Sequence, residues 1–232
     1  MSEALEKVAS LDRLPLFPLP LVLLPGEALP LHIFEPRYRE MLVDVEAADR
    51  LFGISLFEPD AALTDRPEIG SVGCVAEVRE VQAMGDGRSN ILTFGVIRYR
   101  VVGFEEDERP YLVAKVEFFE DDPEPAGKLS EAADEIFGLF ERVAKAAFDL
   151  SGNRGKLPDL QKTDPERLSF VVAAAFNLEN PAKYELLSMT RTGERLDRLR
   201  TVLSNAVGSM EESAAIHKAA RGNGHSTKKI DL

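Results

Sequence analysis

The chain has one cysteine, Cys74, no tryptophan and only three histidines among 232 residues. A single thiol excludes an internal disulfide and fits a reducing compartment. His32, His217 and His225 are scattered, and no His/Cys/carboxylate cluster has metal-ligand spacing, so no metal site is expected. Basic residues are in deficit: 28 Lys+Arg against 40 Asp+Glu leave a formal net charge of −12. Such a surface repels phosphate backbones and anionic lipid, which argues against nucleic acid or a membrane as the main partner.

Catalytic motifs are also missing. "SGNRGKLPD" has a Gly-Lys step but neither the glycine spacing nor the hydroxyl of a phosphate loop. There is no Gly-x-Ser-x-Gly elbow. Cys74 alternates with Val72 and Ala76, which reads as a core thiol rather than a nucleophile. Residues 105–124 hold nine acids against two bases, the pattern of solvated loops rather than of paired catalytic carboxylates.

What is present is ample core material. Hydrophobic residues make up 44% and charged residues 29%, the balance of a folded globular protein rather than a disordered one. The most apolar stretch, "LPLFPLPLVLLPGEALPLHIF", runs from Leu14 to Phe34. Pro15, Pro18, Pro20, Pro25 and Pro30 would each remove a helical donor, and Glu27 would lie inside a span, so a membrane helix is excluded. The preceding "MSEALEKVASLDR" has no net-positive start, so no export signal is read here and a cytoplasmic location is expected.

The stretch reads instead as extended segments joined by turns. In "LPGE", Pro25 suits the second position of a type II turn and Gly26 the positive φ of the third. The flanking segments "PLVLL" and "ALPLHIF" are expected to enter a sheet. "EPRYREMLVDVEAAD" is expected to be a helix, with Glu35 as cap, Pro36 at its first position and Tyr38, Met41, Leu42 and Val45 on its buried face.

The period then changes to two. "RLFGISLFEP", "VGCVAEVREV", "NILTFGVIRYRVVGFEE" and "YLVAKVEFFE" read as strands, and "MGDGRSN" as a hairpin connection. In the second, Val72, Cys74, Ala76 and Val78 share a face. "EDDPEPAGK" marks a boundary, beyond which the pattern is helical. Leu129, Ala133, Ile136, Phe140, Val143, Ala147 and Leu150 form one stripe, and Leu196, Leu199, Leu203, Ala206 and Met210 another. Between them, "TDPERLSF" opens with a Thr163-x-x-Glu166 capping box, and "NPAKYELL" with Asn180 as cap.

Several of these segments carry a family likeness. "LPLFPLPLVLLPGEALPLHIFEPRYREML" resembles the opening of the Lon protease N-terminal, or substrate-binding, domain, and more closely its stand-alone bacterial versions that lack the ATPase and protease domains. The likeness continues through "IGSVGCVAEV", "GDGRSN", "FGVIRYRV" with Gly95 and Arg98, and "YLVAKVEFFEDD", and extends to "KYELLSMTRTGERLDRLRTVL". It implies an α+β fold: a mainly antiparallel, PUA-like β pseudo-barrel with one embedded helix over residues 10–122, followed by an α-helical bundle over 128–215. A basic tail over 216–232 is expected to be disordered.

In full-length Lon proteases this region recognises substrates and helps oligomerisation, while other domains do the chemistry. The resemblance therefore implies a non-catalytic module that binds polypeptide substrates or partner proteins, without a cofactor, and leaves self-association open. It offers no catalytic residue to carry over. The interaction or structural residues it points to are Phe34, Glu35, Arg37, Tyr38 and Arg98, with Glu35 capping a helix or pairing with Arg37 or Arg98. Whether an open apolar groove for a peptide lies between barrel and helices is left open by the sequence. The alternatives are an enzyme with an unrecognised site around Glu35, Arg37 and Arg98, and an RNA-binding PUA-like protein, which the net charge disfavours.

Overall fold

The computed structural model describes residues 2–58, 66–106, 108–151, 162–176 and 178–222, with the backbone alone for 209–222. In chain order the elements are α1 (Glu3–Val8), β1 (Arg13–Leu19), β2 (Ala28–Ile33), α2 (Pro36–Ala47), β3 (Leu51–Leu56), β4 (Val72–Ala83), β5 (Ser89–Phe104) and β6 (Leu112–Phe119). They are followed by α3 (Ala126–Leu150), α4 (Pro165–Ala175), α5 (Asn180–Ser188) and α6 (Thr192–Gly222). Two compact units result: Met1–Pro123 with Phe170–Arg191, and Glu124–Ser169 with Thr192–Leu232.

In the first unit the strand order is β2-β5-β4-β3-β1-β6, and β5 also pairs with β6. Strands β5, β4, β3, β1 and β6 therefore close on themselves, and β2 flanks the first half of β5. All ladders are antiparallel except β1 with β3. The long β5 can serve so many neighbours because its ladders change register at Cys74/Ala76 and Val78/Glu80 toward β4 and at Val101/Gly103 toward β6. Such bulges bend and twist a sheet into closure. The interior is filled by Leu14, Leu16, Leu51, Val75, Ile97, Tyr99, Val101, Ala114 and Val116, against which α1 packs Val8. Each fully buried aliphatic side chain of this kind contributes roughly 1.5–3 kcal/mol.

The prolines of β1 obey the ladder. Residues 13–16 pair with β6 and residues 16–19 with β3, so Pro15 faces only Val113 and Pro18 only Ser55. Each proline lacks a donor where the strand has a neighbour on one side only. The expected strand "PLVLL" is not one: β1 ends at Leu19, and residues 20–24 form no strand, with Val22, Leu23 and Leu24 buried. The turn after it forms as read, with Gly26 at φ 79° and Glu27 N donating to the Leu24 carbonyl at 3.1 Å. Gly26 N donates to the Gly95 carbonyl (2.8 Å) and Gly95 N to the Glu27 carbonyl (2.9 Å), docking the turn onto β5. An ideal Cβ on Gly95 would lie 2.1 Å from the Leu24 oxygen, so the docking depends on glycine there.

The shared face of Val72, Cys74 and Ala76 is buried, but it is not the barrel interior, which belongs to Val75 on the other face. The 170–191 segment meets this unit at Val72, whose N donates to Tyr184 Oη at 3.0 Å, and at Pro20, whose carbonyl accepts from Asn180 Nδ2 at 2.9 Å. Residues 170–191 thus pack with the barrel, rather than belonging to one helical domain over 128–215. Periodicity reveals that a helix buries a face, not which body covers it.

In the second unit α3 buries Ala133, Ile136, Val143 and Ala146, and α6 buries Leu196, Leu199, Leu203 and Val207. The stripes hold, with Ala146 and Val207 buried and Ala147 and Ala206 only half so; the side chain of Met210 lies outside the described residues. The α4 cap is Asp164 rather than Thr163, its Oδ1 accepting from Arg167 N at 2.9 Å. Helix α6 continues to Gly222, into the segment expected as a disordered tail, and residues 223–232 lie outside the described residues.

Candidate functional site

Helix α2 is the element around which candidate residues gather. It begins as read, with Glu35 extended (φ −67°, ψ 136°), Pro36 in the first turn, and Tyr38, Met41, Leu42 and Val45 buried. Glu35 does not cap with its side chain; its carbonyl accepts from Tyr38 N and Arg39 N. Its carboxylate instead takes a 3.1 Å bond from Arg37 Nε, and the Arg37 guanidinium lies 4.6 Å above the Tyr38 ring. Tyr38 in turn packs on Phe17, ring centroids 4.0 Å apart. Phe34 is 57% exposed and stacked on His32.

Arg98 stands elsewhere and is 1% exposed. Its Nη2 donates to Asp121 Oδ1 at 2.6 Å, and its Nη1 to the carbonyls of Met189 (2.5 Å) and Leu187 (3.3 Å). The guanidinium lies 4.6 Å from the Phe119 ring centroid and 5.3 Å from that of Phe170. A buried arginine so surrounded ties strands β5 and β6 to the C-terminal end of α5. Glu35 pairs with Arg37 and not with Arg98, so the expected grouping of Glu35, Arg37 and Arg98 is not assembled.

The outer flank of α2 forms an open groove with the end of β4 and the β4–β5 turn, with a volume of about 610 Å³. Leu42, Val43, Val81, Ala83 and Met84 supply its apolar lining, and Arg39, Glu40, Glu46 and Arg88 its charges. Val43 is 66% exposed and Met84 38%. The turn closes with Met84 N donating to the Arg88 carbonyl and Gly87 N to that of Met84, with Gly87 at φ 81°. Arg88 is held by Asp86, Nε at 2.7 Å and Nη2 at 2.5 Å. That hydrogen bond draws the Asp86 carboxyl down to about 2.

The cleft where the barrel meets residues 174–183 is different in kind. Between residues 20–27 and the 174–183 segment it measures about 350 Å³ and contains the Lys183–Glu27 ion pair (2.8 Å). Glu27 Oε2 also accepts from Leu24 N. It is a small, polar recess rather than an apolar groove. A third recess of about 230 Å³ lies beside Tyr111, whose hydroxyl donates to Asp44 Oδ2 at 2.5 Å. Among the described residues no group of three or more His, Cys, Asp and Glu could hold a metal ion. None of the described helices is long and apolar enough to cross a membrane. Neither the α2 groove nor the Tyr111–Asp44 pair was read from the sequence. The available signal was the apolar character of Val43, off the buried stripe of α2, and of Met84, in the turn after β4.

A closed, mainly antiparallel barrel with one embedded helix, joined to a helical unit, places the protein among α+β, PUA-like pseudo-barrels. Residues 13–205 match the ATP-dependent protease La (LON) substrate-binding domain, and the chain belongs to that family. The match is to that domain and not to the ATPase or protease domains. The chain is 24% identical over 213 residues to Lon protease 2 of Herpetosiphon aurantiacus, covering 90% of this chain and 26% of that protein. It spans about a quarter of the length of the curated relatives it matches. Among solved structures, the Lon N-terminal domain protein from Xanthomonas campestris aligns with a TM-score of 0.59 at 23% identity, over 82% of this chain and 98% of that one. The N-terminal domain of Mycobacterium avium complex Lon protease gives 0.57 at 20% identity, over 84% and 98%. These two likenesses bear on the fold.

Proposed function

We propose that the chain is a non-catalytic polypeptide-recognition module that acts in the bacterial cytoplasm as an adaptor or regulator of proteolysis or protein quality control. The observation that carries this reading is the α2 groove, where Val43 and Met84 stand exposed over a lining of Leu42, Val81 and Ala83. Contiguous apolar surface at a concave site suits an extended or unfolded chain, whose side chains it removes from water. Membership of a substrate-binding family supports the same reading.

The test is fluorescence anisotropy of a labelled, permanently unfolded polypeptide against the wild type and a Val43→Ser/Met84→Ser variant. Both side chains are exposed, so the variant keeps the fold. Binding in the micromolar range, weakened about tenfold in the variant, is expected from loss of two partly buried apolar contacts. Absence of binding, or equal binding by the variant, refutes the assignment to this groove.

A further inference from the structure

Arg39 lines the α2 groove and, unlike Arg88 with its Asp86 partner, its guanidinium makes no hydrogen bond or ion pair with any described residue. Its Nη2 lies against Gly87, where an ideal Cβ would come within 2.1 Å. A glycine at the turn thus leaves the space that seats the guanidinium beside the apolar lining.

We propose that the groove takes an extended apolar segment carrying one acidic side chain, and that Arg39 receives its carboxylate. This rests on the reading of the groove as a polypeptide-docking surface and names the class of segment it selects. Arg39 and Val43 are one helical turn apart, about 6 Å along the axis at 1.5 Å per residue. Same-face side chains two positions apart on an extended chain are separated by about 6.6 Å. An acid at one position of the segment and an apolar residue two positions along would therefore meet Arg39 and Val43 together. Glu40 and Glu46 line the same groove, and the whole chain carries a net charge of −12. A polyacidic stretch is thereby rejected, and selection falls on a single carboxylate set among apolar residues. The guanidinium can grip that group through two parallel hydrogen bonds, which lysine could not do.

The test uses N-acetylated, C-amidated peptides of alternating apolar and neutral polar residues with a central Asp or Asn, measured by anisotropy against the full chain. The wild type is expected to bind the Asp peptide about fivefold more tightly than the Asn peptide, the size of a half-exposed charge pair. Arg39→Gln should bind both at the Asn level, while Val43→Ser/Met84→Ser should weaken both. Equal binding of the two peptides by wild type, with the apolar variant still weakening both, overturns the carboxylate inference and leaves the groove reading standing. An Asp preference that survives Arg39→Gln also overturns it. Indifference of both peptides to the apolar variant overturns the groove reading itself. A third peptide, with Asn at the centre and a free C-terminus, separates the sources: a preference for it that the internal Asp does not reproduce overturns the side-chain assignment in favour of a chain terminus.

Discussion

The Leu24 carbonyl oxygen stands 2.1 Å from the position that a Cβ on Gly95 would occupy. Gly95→Ala therefore drives a methyl group into backbone that is itself held by the Gly26–Gly95 and Gly95–Glu27 hydrogen bonds. A loss of about 2–4 kcal/mol in stability is expected from urea unfolding. Gly26→Ala, at φ 79° with nothing within 4 Å of its Cβ, should cost only the left-handed backbone penalty of about 1–2 kcal/mol. Equal losses at the two sites would refute the steric account.

Arg98 and Asp121 are 1% and 5% exposed at their side chains and 2.6 Å apart. Removing the cation strands a buried carboxylate and leaves the Leu187 and Met189 carbonyls without their donor. Arg98→Met is expected to cost about 3–5 kcal/mol. Asp121→Asn keeps an acceptor oxygen and should cost about 1–3 kcal/mol. Chemical denaturation of both variants checks the order, and a milder loss for Arg98→Met contradicts the role given to Arg98.

Burial, reinforced by the bond to Asp44, pushes the Tyr111 hydroxyl up to about 12. The unfolded chain then releases this proton near the ordinary tyrosine value of about 10, while the folded chain still holds it. The corresponding stability is whole below about pH 10 and is lost as pH rises toward 12, by an amount on the order of 1 kcal/mol after allowance for solvent screening. Burial raises the Tyr99 hydroxyl as well, so the wild type as a whole should lose stability over this range. Tyr111→Phe is expected to lose less than the wild type between pH 9 and 11 in thermal melts, and a parallel decline would show that Tyr111 is not responsible.

Burial also pushes the Cys74 thiol upward, and the side chain is 0% exposed. A thiol-specific reagent should leave the native chain unlabelled and react stoichiometrically once urea unfolds it. Rapid labelling while the circular dichroism stays native would contradict the packing described for β4.

Local order was legible wherever one side chain's backbone preference settles the matter. The Pro25-Gly26 turn, the face of α2 and the hairpin at Gly87 all follow from φ restriction or from the period of apolar residues. Reading failed where two choices are locally equivalent. "PLVLL" has strand composition, yet it runs as coil because Leu24 is drawn to Gly95, and Thr163 and Asp164 are both competent caps of which the fold uses one. The five candidate residues show the same limit: Tyr38 was placed in the α2 core correctly, whereas Arg98 could not be assigned Asp121, Leu187 and Met189 from spacing alone.

Composition and pattern were sufficient for the class: a barrel rich in β-branched residues, an embedded helix, helices after residue 124, and a net negative charge. These follow from short-range sterics, periodicity and charge count, which are properties of the chain read in order. Which surfaces meet is not such a property. That residues 170–191 pack with the barrel, and that α2 and the β4–β5 turn leave Val43, Met84 and Arg39 open between them, depends on contacts between segments far apart in sequence. Such contacts are chosen by the packing of the whole unit, because each face is equally apolar until a partner covers it or leaves it open.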